Sequence, residues 1–446
     1  MNKLKPSLYL TSLNVNKMRF GLKAITTLLS RLGNPQNDYK TITIAGTNGK
    51  GSTAAMTASI LRSAGFKVGL YTSPHLVDVR ERIVLNGKKI PLKEFNRTIT
   101  YVKNKIQQPV TYFEFLTAVA FEYFKNQKVD IAVLEVGLGG RLDATNVCKP
   151  MVSVITNIDF DHTNYLGDTL ESITREKAGI IKQNSVCVTA AKQKVVLDLL
   201  ENVCLHRRTK LYRLNRDIKI KKQKDGLLTY RGLFRDIKNL TIPLMGEHQL
   251  SNAALALATI ELGEKKGFRV DDAAIFTGLK STRWEARLEI LQSHPLFILD
   301  GAHNPAGIES LCRALKKDFS YRRLILVFGA LADKEYRQML QKIIPLAKKI
   351  ILTKLNTERT ASLNEISKTV RSAGRMPIVT ENIRQAIEWA LALAGKQDLI
   401  CATGSFYLAG EIKQTFPKLA LCDSKKGKIT LRTAEPRQIN ERKKVY

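Results

Sequence analysis

Eight consecutive residues near the start of the chain, Gly46-Thr47-Asn48-Gly49-Lys50-Gly51-Ser52-Thr53, have the composition of a phosphate grip. Glycines let backbone N–H groups curl around phosphate oxygens with no Cβ in the way. A lysine adds a point charge, and a helix starting there adds the positive end of its dipole. The apolar run Thr41–Ala45 leads in, and a stretch of helical period, Thr53–Ala64, leads out to Gly65, a residue that accepts the left-handed conformation closing a helix. Strand, glycine turn, lysine, hydroxyl and helix in that order predict a triphosphate site, with ATP as ligand held by Gly49, Lys50, Gly51 and Ser52. The spacing departs from the usual Walker pattern: the first glycine lies three residues before Gly49, and Gly51 separates Lys50 from Ser52.

Phosphoryl transfer is mostly positioning and charge neutralisation, so magnesium and its ligands belong beside Lys50. Glu135 closes the apolar run Ile131–Leu134, Asp300 closes Leu296–Leu299 ahead of Gly301, and His162 follows the run Met151–Thr156. The carboxyl ends of strands are where an α/β sheet presents its ligands. By pattern alone, His162 is equally well explained as a packed core residue, while Lys177 is better explained as a surface lysine and Asn252 as part of a polar helix face. Tyr112 and Phe113 suit stacking on a flat heterocycle but suit a hydrophobic core as well.

The elements that must position these groups alternate between short β-branched runs and stretches of helical period, the pattern of an α/β fold with mainly parallel sheets. Strands are predicted at Thr41–Ala45, Lys67–Thr72, Asp130–Val136, Met151–Thr156 and Ser185–Thr189, and a helix from Glu247 to Leu262 with Gly263 as its stop. Asp225-Gly226 between Ile218–Ile220 and Leu227–Tyr230 is a hairpin signal, placing a small antiparallel insertion at about 216–240. A second α/β series follows, with strands at Leu296–Asp300, Leu324–Phe328, Lys349–Thr353 and Leu399–Thr403. The expected division is an ATP-binding domain over 1–282, a smaller Rossmann-like domain over 283–422 and a basic polar tail over 423–446.

The variant phosphate loop resembles that of the folylpolyglutamate synthase and dihydrofolate synthase family within the Mur-type ligases. The likeness continues through Tyr71-Thr72-Ser73-Pro74-His75, Arg80-Glu81-Arg82-Ile83, Thr111-Tyr112-Phe113-Glu114, the run Leu134–Asn146, Asp161-His162, Glu176-Lys177-Ala178-Gly179, His248-Gln249, Asp300–Pro305 and Thr403-Gly404-Ser405. It spans roughly residues 10–410 in order. The resemblance implies a P-loop-containing Mur-type domain and an ATP-dependent ligase that joins L-glutamate to 7,8-dihydropteroate, and further glutamates to reduced folates, through an acyl phosphate. It also implies roles for single residues. Ser73, Glu135 and His162 bind magnesium, with two ions expected, and Lys177 carries a carbamate. Asn252, Arg287 and Asp300 contact ATP, while Lys50, Lys177 and His303 serve catalysis. Met18, Arg19, Phe20, Thr111, Tyr112, Phe113, Glu114, Leu142, Asp143 and Ala144 hold the pterin acid, and His303 and Ser405 meet the glutamate. One departure stands out: Trp284-Glu285-Ala286-Arg287 replaces the family's Trp-Pro-Gly-Arg, losing both the stiff proline and the permissive glycine.

Composition bounds the remaining options. The 446 residues are 44% hydrophobic and 25% charged, an ordinary globular mixture with room for two or three cores. No uncharged apolar run reaches the length of a membrane span, and the chain is expected to be a cytoplasmic monomer working on small molecules. Six cysteines without a Cys-x-x-Cys pair argue against a zinc ribbon or a disulfide framework. The net charge is +32, of which the segments 1–25, 207–238 and 424–446 supply 20. Those segments lack the interleaved aromatics of nucleic-acid binders, so a solvated basic surface is expected. A monofunctional folylpolyglutamate synthase and a nucleotide-dependent nucleic-acid-binding protein remain the alternatives. A peptidoglycan-precursor ligase fits poorly, because only about forty residues precede the loop.

Overall fold

The structure, a computed structural model, describes residues 9–10, 12–13 and 21–423, with side chains to residue 417. Met18, Arg19 and Phe20 of the expected acid-binding set, and the basic tail from 424, lie outside the described residues. The chain divides into two compact units, Met1–Leu288 with Arg313–Phe319, and Glu289–Cys312 with Ser320–Tyr446.

The first unit is built on eight strands: β1 (Lys40–Ala45), β2 (Val68–Tyr71), β3 (Ile83–Leu85), β4 (Lys88–Lys89), β5 (Ile131–Glu135), β6 (Val152–Ile155), β7 (Val186–Thr189) and β8 (Lys210–Arg213). Their order is β4-β3-β2-β5-β1-β6-β7-β8, parallel from β2 through β8, with β3 and β4 added antiparallel at one edge. Every residue of β2, β5 and β6 is buried, as parallel strands covered on both faces must be. Alternation then splits the core. Ile131 and Val133 face one layer, with α1 (Lys50–Ser63). Ala132 and Leu134 face the other, with α2 (Tyr112–Asn126). A further layer forms under α3 (Leu170–Ala178), while α4 (His248–Glu264) and α5 (Asp272–Ser281) join α1.

Register is what positions the site. Ile44 pairs with Glu135, Ala45 with Ile155, and Tyr71 with Leu134, so β1, β2, β5 and β6 all end at one edge of the sheet. The second unit repeats the plan with β12 (Glu289–Ser293), β13 (Leu296–Leu299), β14 (Leu324–Phe328), β15 (Ala347–Thr353), β16 (Ile378–Thr380) and β17 (Leu399–Thr403). Its order is β12-β13-β17-β14-β15-β16, with only β12 antiparallel. Both units are thus α/β with mainly parallel sheets, the class expected.

Several local expectations need correction. The helix expected from Thr53 begins at Lys50, because Gly49 at φ +84° turns the chain straight into it. Gly263 does not stop the fourth helix but lies buried within it, and the left-handed glycine that follows is Gly267 at φ +100°. The insertion has three strands: β9 (Lys219–Lys222) and β10 (Leu228–Arg231) flank Gly226, and β11 (Asp236–Leu240) completes the sheet. The polar sequence of β11 hides the two residues, Ile237 and Leu240, that it buries. Likewise β12 is a half-exposed edge strand, with no apolar alternation to betray it.

Candidate active site

The phosphate loop leaves β1 at Gly46 and enters α1 at Lys50. A Cβ at Gly46 would stand 1.8 Å from Thr156 Oγ1, at Gly49 2.3 Å from Asn252 Oδ1, and at Gly51 2.8 Å from the Trp284 ring. Such contacts exclude any side chain, so the backbone N–H groups line the cradle bare. The loop is braced by the segment after β6. Thr47 Oγ1 donates to Asp159 O and accepts from Asp159 N, both at 3.0 Å. Asn48 N donates to Asn157 Oδ1 at 2.8 Å, and Thr156 Oγ1 donates to Asn48 O at 2.6 Å. Thr156 and Asn157 are braces that the sequence pattern did not single out; a polar pair directly after a buried strand was the available signal.

Two lysines converge on one carbonyl. Lys50 Nζ donates to Gly46 O and Thr47 O at 3.0 Å each, and Lys177 Nζ also donates to Gly46 O at 3.0 Å. Lys177 is buried at the end of α3, so its reading as a surface lysine is overturned. Burial, and then the positive charge of Lys50, lower its amine to about 7. Two lysine amines held this close favour an anion beside them.

Glu135, the last residue of β5, is buried and accepts Ser73 N at 3.1 Å through Oε2. Burial pushes its carboxyl up, while Lys50, the Ser73 N–H and Arg287 pull the other way. His162 opens the turn after β6 at φ +54°, with Nε2 3.7 Å from Asp161 Oδ1. Among the described residues no group of three or more His, Cys, Asp and Glu is assembled. One buried carboxylate with a hydroxyl and an imidazole at the same sheet edge still suits magnesium, which keeps several waters and takes the rest of its shell from substrate phosphates.

Asn252 and Gln249 lie buried on α4. Asn252 Nδ2 donates to Gln249 Oε1 at 2.9 Å, and Gln249 Nε2 reaches Ser52 Oγ at 3.5 Å. This chain ties the helix to the loop and gives Gln249 a part that its position in the sequence did not reveal. Next to it, burial and then Arg287 lower His248 to about 4, so the imidazole is neutral at working pH. Before Arg287 the backbone turns left-handed at Ala286, φ +52°, although the glycine that would accept this turn readily is absent.

The expected acid-binding residues divide by what their side chains do. Phe113 is half-buried, and its ring packs where a Cβ on Gly137 would come within 2.5 Å. Tyr112 lies under the Arg82 guanidinium, 5.6 Å from the ring centre. Glu114 and Thr111 form a capping box on α2, with Thr111 N donating to Glu114 Oε2 at 2.8 Å and Glu114 N to Thr111 Oγ1 at 3.2 Å. Asp143 accepts Gly137 N, Leu138 N, Thr145 N and Thr145 Oγ1 at 2.6–3.1 Å. Those four bonds use a carboxylate's acceptor positions, so the side chain shapes the loop that carries half-buried Leu142 and buried Ala144.

In the second unit, β13 and β17 are parallel neighbours, and the motifs after them meet. Asp300 Oδ1 accepts Ala302 N at 2.9 Å, Gly404 N donates to Ala302 O at 3.0 Å, and Ser405 Oγ accepts Leu408 N at 3.0 Å. The His303 ring lies 5.1 Å from that of Phe406, with Nδ1 2.9 Å from Gly301 O.

The Mur ligase middle domain matches residues 44–260, and the Mur ligase glutamate ligase domain matches residues 286–406. The dihydrofolate synthase/folylpolyglutamate synthase of Bacillus subtilis is 34% identical over 421 residues, covering 89% of this chain and 96% of that one. The folylpolyglutamate synthase of Lacticaseibacillus casei is 35% identical over 407 residues, covering 88% and 94%. Among solved structures, E. coli FolC in complex with DHPP and ADP has a TM-score of 0.87 at 29% identity, covering 94% of this chain and 99% of that one.

Proposed function

This chain belongs to the Mur ligase family, among its dihydrofolate and folylpolyglutamate synthases, and from that premise we propose how its residues carry out the ligation. The protein is an ATP-dependent ligase that adds L-glutamate to 7,8-dihydropteroate and then extends reduced folates. The observation that carries the residue assignment is the meeting of Lys50 and Lys177 on Gly46 O at the edge of a glycine cradle. The bare loop and the α1 terminus take the β- and γ-phosphates, with Lys50 between them. Asn252, Arg287 and Asp300 contact the nucleotide.

The acid's carboxylate attacks the γ-phosphorus, ADP leaves, and an acyl phosphate forms. The neutral amine of glutamate, received by His303 and Ser405, then attacks the acyl carbon. Phosphate departs with its bridging oxygen, and the amine proton passes to solvent or to a basic side chain. Glu135, Ser73 and His162 would hold the magnesium, which supplies charge neutralisation for the transferred group. Lys177, with its amine lowered to about 7, is available as the free base to add carbon dioxide. An N–C bond forms between the neutral amine and the carbon of carbon dioxide, and one proton leaves to solvent, turning the buried amine into a carbamate anion. Thr111–Glu114 and Leu142–Ala144 wall the acid site, the Asp143 carboxylate by shaping its own loop.

A substrate panel with magnesium and ATP tests this reading. Phosphate release is expected to require both L-glutamate and an acid, with 7,8-dihydropteroate and tetrahydrofolate each accepting glutamate. Oxygen-18 placed in the acid's carboxylate should appear in the released phosphate. Release independent of either substrate, or phosphate without label, would overturn it. Activity confined to tetrahydrofolate would select the monofunctional alternative.

A further inference from the structure

A second basic site stands at the opposite end of the sheet. Lys149 precedes β6, Lys182 and Asn184 precede β7, and Lys266 follows α4. Together with Gln183 and Ser185 they line a cavity of about 400 Å³, within the range of small-molecule sites. The lining contains no aspartate or glutamate. Among the described residues, neither these three lysines nor the neighbouring Arg207 is engaged in an ion pair. Lys182 Nζ donates to Asn146 O at 2.9 Å, which leaves two of the ammonium's three N–H groups.

We propose that this cleft at the amino ends of β6 and β7 is an anion-binding site for a compact small molecule carrying two or more negative charges, whether phosphate esters or clustered carboxylates. Three chain segments far apart in sequence bring their cations to one concavity, and like charges gathered without a counter-charge are relieved by a bound anion. Burial is the main cause that lowers the Lys182 amine; Cys148 opposes it, and Arg207 and Lys149 add smaller contributions in the same direction as burial. The carboxamides of Gln183 and Asn184 and the hydroxyl of Ser185 add neutral donors. Strands of four residues, roughly 13 Å long, lie between this cleft and the loop after β6, so a ligand here is not held by the phosphate cradle.

The test uses the full chain with its phosphate loop filled by magnesium and a non-hydrolysable ATP analogue. Ethylene glycol bisphosphate and tricarballylate are titrated separately by calorimetry. One equivalent of anion is expected to bind per chain, weakening as salt rises, and weakening about tenfold or more in the Lys149→Ala/Lys266→Ala double variant. Both lysines are exposed, so the double variant keeps its fold and its ligase turnover without anion. A preference for bisphosphate or for tricarboxylate identifies the source, and equal binding leaves the shared chemistry as the answer; each supports the site. Absence of saturable binding with the loop filled, or unchanged affinity in the double variant, overturns it. Lys50→Ala, tested without nucleotide, should bind the anion at the cleft as before, which separates this site from the ligase reading.

Discussion

At the scale of single residues, the two lysines on Gly46 O divide the work and predict different things. Lys50→Ala removes the point charge between the phosphates together with two hydrogen bonds to loop carbonyls. Turnover should fall by about a hundredfold or more, while stability falls by only about 1–2 kcal/mol. Steady-state kinetics beside thermal unfolding measures both, and a global loss of fold would show that the residue is structural. Lys177 gives a pH signature. Its amine sits near 7 in the folded chain against about 10.4 unfolded, so between those values the unfolded state binds more protons and stability rises with pH. Below about pH 7 both states are protonated and the burial penalty is felt in full. Lys177→Met should therefore be more stable than the parent at pH 6, with the gap narrowing by pH 9, and should lack ligase activity at both. Equal gaps at the two pH values would mean the folded amine titrates normally.

At the scale of elements, the site depends on turns that hold strained or unsubstituted backbone. The turn before Arg287 is left-handed at a buried alanine, where a Cβ costs about 1 kcal/mol relative to glycine. Ala286→Gly is expected to raise stability by about that amount with turnover retained, as read from denaturant midpoints. A loss of stability would mean that the alanine methyl packs for more than its strain. The loop Gly137–Asn146 depends in the same way on Asp143, whose carboxylate gathers three backbone N–H groups and a hydroxyl. A residue that reads as a ligand contact in sequence is, by its hydrogen bonds, the frame of that contact.

At the scale of the whole molecule, the net charge of +32 sets a background of self-repulsion that salt screens, with a Debye length of about 10 Å at 0.1 M. The unfolding midpoint should rise as sodium chloride increases from low levels to about 0.3 M, and a flat or falling midpoint would mean that local ion pairs outweigh the net charge. No helix among the described residues is long and apolar enough to cross a membrane. The sequence alone determined the α/β class, the glycine cradle with Lys50, and the acids Glu135 and Asp300 at strand ends. These are local signals, since a glycine, a β-branched run or an acid after it acts over a few residues. Tertiary structure alone decided that Lys177 is buried against Gly46 O, that Thr156 and Asn157 brace the loop, that Asp143 is spent on its own backbone, and that β11 and β12 complete their sheets. Those outcomes depend on strand register and on burial by segments distant in the chain, and no residue's own neighbours encode them.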